Sequence, residues 1–179
     1  VLGLDDEQVS NICLAISTPN NVVQAANYNS PGQVVIAGSN DALTVAIDAC
    51  KAAGAKRAMA LSVSAPFHSA LMLPAAGKMA DALANVEFKA PQIKIIQNVD
   101  AQYCSDPALI RENLVKQMFS AVRWTESVQR MAADGVTVVV ECGPGKVLSG
   151  LNRRIDKSLT SHSVNSAASL EQVCQELSQ

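Results

Sequence analysis

Two histidines occur in the 179 residues, and one of them stands where an imidazole can do work. His68 lies in the stretch Ser62-Val63-Ser64-Ala65-Pro66-Phe67-His68-Ser69-Ala70-Leu71-Met72. A strand pattern precedes it and an apolar-periodic segment follows, so the ring belongs at a rigid strand–helix junction. Imidazole titrates near neutrality and is the natural general base for activating a hydroxyl nucleophile. A lone histidine is also commonly structural, and local features alone leave both roles open. His162 stands in a Ser/Thr-rich segment and reads as a solvated side chain.

A nucleophile to match His68 is hard to find. The sequence contains no G-x-S-x-G elbow. Ser69 adjoins His68 in the chain, which is poor geometry for an activated pair, and Ser64 falls on a predicted strand. Cys142 ends a predicted buried strand, a common site position in open sheets. Its simpler reading is a packed thiol beneath Gly143-Pro144-Gly145. The run Gly143-Pro144-Gly145-Lys146 lacks the Walker A glycine spacing and carries Val147 where Ser or Thr is required. It reads as a tight strand–helix turn, with Lys146 able to meet an anionic group. The five cysteines are widely spaced, with no C-x-x-C. Neither a disulfide framework nor a metal site is signalled, and no cofactor is called for.

The elements that must position these residues read as α/β. Apolar content is mostly Ala and Val, with only 3% aromatics, which suits helices packed closely on strands. A net charge of −2 without a basic stripe argues against nucleic acid. No apolar run reaches membrane-spanning length and no signal peptide is evident, so a cytoplasmic protein without membrane contact is expected.

From the start, Val1–Leu4 reads as the end of a strand already under way. Asp5 or Asp6 caps a helix carrying Val9, Ile12, Cys13 and Ile16 on one face. Strands at 22–27 and 33–37 flank the turn signal Asn29-Ser30-Pro31-Gly32. A helix carrying Leu43, Ala46, Ile47, Cys50 and Ala53 stops at Gly54, and 56–63 reads as a strand. The order β-α-β-β-α-β defines a ferredoxin-like small domain over 1–62, with its first strand truncated. The polar cluster Asn27-Tyr28-Asn29-Ser30 either lines a ligand cleft or merely shapes the hairpin.

Residues 63–179 alternate helix and strand. Helices are expected at 70–86, 107–118, 146–155 and 169–177, with one more after a cap at Thr125. Strands are expected at 93–99 and 136–140, and a short element near Val164. The β-branched run 136–140 predicts a strand buried on both faces of a parallel sheet. An open sheet needs more strands than this segment supplies.

The histidine stretch from Val63 to Met72 resembles the histidine motif of malonyl-CoA:acyl-carrier-protein transacylases of bacterial type II fatty acid synthesis. Three further stretches agree in order: Asn27 to Gly38, Gln117 to Trp124, and Glu141 to Leu148. The resemblance implies part of a large α/β-hydrolase-like acyltransferase domain over 63–179, with the ferredoxin-like small domain inserted in it. It implies that malonyl passes from malonyl-CoA to a serine, then to the phosphopantetheine thiol of the acyl carrier protein. His68 matches the catalytic histidine. Gln117 matches the residue whose backbone carbonyl orients it, a role needing no particular side chain. Asn27 and Asn29 match positions lining the cleft for the thioester arm. Pro66-Phe67-His68 resembles the malonyl-using branch rather than the methylmalonyl one.

The family's N-terminal part has no counterpart here. That part carries the nucleophilic serine, an oxyanion loop and the arginine that grips the malonyl carboxylate. The chain therefore resembles the C-terminal three-fifths of an enzyme that is expected to be monomeric when whole, and it is expected to be inactive alone. Two other readings stand beside this one. One is a free-standing ferredoxin-like module that binds a small ligand. The other is a non-catalytic carrier-protein scaffold using Arg111, Lys116 and Arg123.

Overall fold

Asp5 begins the first helix by sequence-local chemistry. Its carboxylate accepts from the Gln8 amide at 2.7 Å, and the Gln8 side chain accepts from the Asp5 amide at 3.2 Å. This reciprocal capping box satisfies two otherwise orphaned donors and starts α1 (Asp6–Ile16), which buries Val9 and Cys13. The computed structural model describes residues 1–178. Two compact units are present, Val1–Ser127 and Val128–Gln179.

In the first unit, β1 (Val23–Ser30) and β2 (Gln33–Gly38) form an antiparallel hairpin closed by Pro31-Gly32, with Gly32 at φ +72°. Helix α2 (Asn40–Ala52) follows and ends before Gly54, which takes φ +96°. Val9, Cys13, Val23, Val34, Ala46 and Cys50 interlock in one core between helices and hairpin. Leu2 bridges Gln33 on one side and Arg57 on the other, both antiparallel. The lateral order is thus Arg57, Leu2, β2, β1, the order of a split βαβ unit.

The strand expected at 56–63 does not form. Pairing there is confined to the single bridge at Arg57, and Met59, Leu61 and Val63 are exposed. Only the short lead-in around Leu2 lies alongside it, so the ladder has nothing to propagate along.

A 3-10 turn at Ala70–Met72 leads into α3 (Leu73–Ala84), with Pro74 in the first helical turn where no amide is needed. The strand expected at 93–99 is shortened to β3 (Ile95–Gln97). It pairs antiparallel with β4 (Gln102–Cys104), in a stretch where neither strand nor helix is expected. Helix α4 (Pro107–Gln117) starts on Asp106, whose carboxylate accepts from the Ala108 amide at 2.9 Å. Helix α5 (Trp124–Ala133) starts before Thr125, so Thr125 is not its cap. The Thr125 hydroxyl instead donates to the Tyr28 carbonyl at 3.0 Å, tying the start of α5 to β1.

In the second unit, β5 (Val138–Cys142) and β6 (Thr160–Val164) pair in parallel, joined by α6 (Val147–Ile155). Helix α7 (Ala167–Leu177) follows β6. Strand β5 is not buried on both faces: Val138, Val140 and Cys142 are exposed, alternating with the half-buried Val139 and Glu141. Among the described residues no helix is long and apolar enough to cross a membrane.

Candidate active site

His68 adopts φ +60°, a left-handed backbone that a residue bearing a Cβ rarely takes. The neighbouring elements hold it there. Its amide donates to the Met118 carbonyl at 3.2 Å, and its ring Nδ1 lies 2.8 Å from the Gln117 carbonyl. A carbonyl oxygen can only accept, so this short contact, closer than the 3.5 Å approach of the Gln117 Nε2 amide to the same nitrogen, selects the tautomer with the proton on Nδ1 and the lone pair on Nε2. The two carbonyls belong to the last residue of α4 and to its C-cap, where helical carbonyls lack internal partners. The end of that helix thus fixes the ring's orientation and its tautomer together.

The Gln117 side chain has a part of its own. Its Nε2 donates to the Ser120 carbonyl at 3.0 Å and lies 3.4 Å from that of Ala121. These bonds fold the chain tightly after α4 and hold the carbonyls that face His68. The family resemblance implies a role for the Gln117 backbone only.

From the opposite side, β1 supplies Gln24. Its Oε1 accepts from the Ala70 amide at 3.0 Å, and its Nε2 approaches the His68 carbonyl at 3.4 Å. Sequence reasoning missed Gln24, because period-two alternation puts residues 24 and 27 on opposite faces of a strand. A bulge removes that conflict: Gln24 opposes Ala37 while Asn27 opposes Val35, so both lie on one face. Asn27 also forms a parallel bridge with Val122, flanked by a Val122-to-Ala26 bond at 2.8 Å and a Tyr28-to-Val122 bond at 2.9 Å. His68, Gln117 and Asn27 are thereby tied into one framework. Asn29 is half-buried at the second register shift of β1.

The other candidates are disposed differently. Ser69 is fully buried, and its hydroxyl donates to the Pro66 carbonyl at 2.6 Å, so it braces the turn before His68. Ser64 is exposed in a bend rather than on a strand. Cys142 is an exposed thiol, not a packed one. At the Gly-Pro-Gly turn, Glu141 occupies the start of α6. It accepts from the amides of Leu148 at 3.1 Å and Ser149 at 2.8 Å, and from the Ser149 hydroxyl at 2.8 Å. Slight desolvation works to raise the Glu141 carboxyl, but these bonds outweigh it and hold the group below its usual range. An anion already satisfies that helix start. His162 is not simply solvated, since its Nδ1 lies 3.1 Å from Glu176. An open cleft of about 550 Å³ is lined by Asp6, Ser10, Tyr28, Arg123 and Glu126 among others. Tyr28 alone of the polar cluster lines it, and neither Asn27 nor Asn29 does. Among the described residues no group of His, Cys, Asp and Glu is placed to hold a metal.

Residues 3–176 match the model of the acyl transferase domain family. The chain belongs to that family. It is 49% identical over 170 residues to a malonyl CoA-acyl carrier protein transacylase of Salmonella typhimurium, covering 95% of this chain and 55% of the relative. Against the transacylase of Bacillus subtilis the identity is 40% over 177 residues, covering 99% and 56%. A crystal structure of an acyl carrier protein S-malonyltransferase from Vibrio cholerae superposes with a TM-score of 0.93 at 51% identity, over 96% of this chain and 56% of that one. A malonyl-transacylase solved in complex with a type II polyketide synthase acyl-carrier protein gives 0.94 at 45% identity, over 98% and 57%. The chain thus spans little more than half the length of the relatives it matches. Its mixed architecture, with a ferredoxin-like subdomain, is that of the family.

Proposed function

We propose that the chain supplies the general base of a malonyl-CoA:acyl-carrier-protein transacylase, with malonyl-CoA and the acyl carrier protein as substrates of the whole enzyme. The supporting observation is His68 Nδ1 held 2.8 Å from the Gln117 carbonyl, which leaves Nε2 as a proton acceptor. Residues 1–62 act as the ferredoxin-like small domain, and 63–179 as part of the acyltransferase domain. The serine, the oxyanion loop and the carboxylate-binding arginine come from the N-terminal region of the whole enzyme.

The chemistry is a ping-pong exchange. His68 Nε2 takes the serine hydroxyl proton as the serine oxygen attacks the malonyl thioester carbonyl. The tetrahedral intermediate collapses, the carbon–sulfur bond breaks, and the imidazolium returns its proton to the coenzyme A thiolate. In the second half His68 takes the proton of the carrier protein's phosphopantetheine thiol. The sulfur attacks the malonyl-serine, and the proton passes back to the serine oxygen. Asn27 and Asn29 line the approach of the thioester arm. The Gln117 carbonyl fixes the ring's orientation, which spares reorganisation at each transfer.

The test joins this chain to the N-terminal region of a transacylase relative and measures malonyl transfer to acyl carrier protein. Transfer is expected in the joined protein and not in the chain alone. His68→Ala should then lower kcat roughly 10²–10⁴-fold, the usual contribution of general base catalysis. Full activity of the His68→Ala protein would overturn the assignment.

A further inference from the structure

We infer that Gln24 is a positioning residue, one that holds the His68 backbone through a two-sided side-chain amide clamp; this rests on His68 being the base. Three observations converge on it. His68 is strained at φ +60° and needs its flanking peptide groups held. The residue placed to cap the following 3-10 turn, Ser69, makes no side-chain cap, because its hydroxyl is spent on the Pro66 carbonyl at 2.6 Å. Gln24 takes over that duty from another element: its Oε1 accepts from the Ala70 amide at 3.0 Å, while its Nε2 faces the His68 carbonyl at 3.4 Å. One primary amide thus meets an acceptor before and a donor after the same peptide segment, donating through Nε2 and accepting through Oε1.

The clamp also joins two parts of the reaction site. The β1 bulge sets Gln24 and Asn27 on one face, so the strand carrying Asn27 also grips His68. A shift of β1 therefore moves the base together with Asn27, keeping their spacing.

The test uses the 179-residue chain, ¹⁵N-labelled. Long-range proton–nitrogen NMR reports the His68 tautomer, and amide exchange reports Ala70. In the wild type the neutral ring is expected as a single Nδ1–H form. In Gln24→Ala, Ala70 exchange should rise about tenfold, the worth of one hydrogen bond, and the ring should become a mixture of tautomers. The amides that pair β1 with β2 should keep their rates. Gln24→Glu retains the acceptor for Ala70 and should restore its exchange to within about threefold of wild type. Wild-type signals at Ala70 and His68 in Gln24→Ala, or an unprotected Ala70 in Gln24→Glu, would overturn the role. In the joined enzyme, Gln24→Ala should lower kcat about tenfold at unchanged KM for malonyl-CoA. Absence of transfer in the joined wild type would overturn the acyl-transfer reading instead, with the clamp still judged by NMR.

Discussion

His68 holds a backbone conformation that costs a residue with a Cβ about 1–2 kcal/mol, and three hydrogen bonds from α4 and β1 offset it. Two come from carbonyls at the end of α4, and the Gln117 side chain holds the chain just beyond them. Gln117→Ala keeps the orienting carbonyl but leaves the Ser120 carbonyl without its donor. We expect it to destabilise the chain by about 1–2 kcal/mol in urea unfolding and to lower kcat of the joined enzyme, where a purely backbone role predicts no change. Cysteine behaviour divides by burial. Cys13, Cys50 and Cys104 are buried, whereas Cys142 and Cys174 are exposed. Burial, with a smaller contribution from Cys50, pushes the Cys13 thiol up to about 12. A thiol reagent at pH 8 should label two cysteines quickly and the remaining three only on unfolding. Because the native state keeps the Cys13 proton that the unfolded chain releases near 9, stability should be intact below pH 9. It should fall as pH rises from there toward 12.

At the scale of elements, the hairpin is the most constrained part. A Cβ on Gly38 would lie 2.1 Å from the Val22 carbonyl oxygen and 2.7 Å from the Val23 Cα, both backbone atoms that cannot turn aside. Gly38→Ala should cost about 3 kcal/mol or more, read as a lowered urea midpoint. Gly77 lies within α3 with nothing inside 4 Å of an added Cβ. Gly77→Ala should stabilise the chain by about 1 kcal/mol, the helix-propensity difference, read as a raised urea midpoint. The elements legible in the sequence are those that carry their own signals. Helix α1 has its capping box, the hairpin has Pro31-Gly32, and α2 has Gly54. The strand expected at 56–63 failed because β pairing needs a long neighbour, and alternation cannot reveal whether one is present. Strand β4 was missed since Gln102-Tyr103-Cys104 is too short to establish a period, and only β3 beside it makes it a strand.

For the molecule as a whole, large apolar side chains stay exposed in both units, with Val63 at 67% and Val147 at 70%. The relatives are nearly twice as long. The native chain should bind a hydrophobic dye, and joining the N-terminal region of a relative should reduce that binding while raising the melting temperature. Unchanged dye binding in the joined protein would mean that this apolar surface serves something else.

What is local or carried by motif is legible in the residues: the α/β character, a helix capped at Asp5 or Asp6, the β1–β2 turn, and His68 as the residue to watch. The sequence also carries the resemblance that draws Gln117, Asn27 and Asn29 into view. How these residues serve His68 follows only from the fold. The left-handed backbone of His68, the ring proton on Nδ1 and the Gln117 side-chain bonds depend on partners 49 residues away or on the turn they shape. The Gln24 clamp depends on a strand 44 residues upstream and on a one-residue bulge. Bulges and long-range hydrogen bonds leave no periodic trace, because they arise only when separate segments meet.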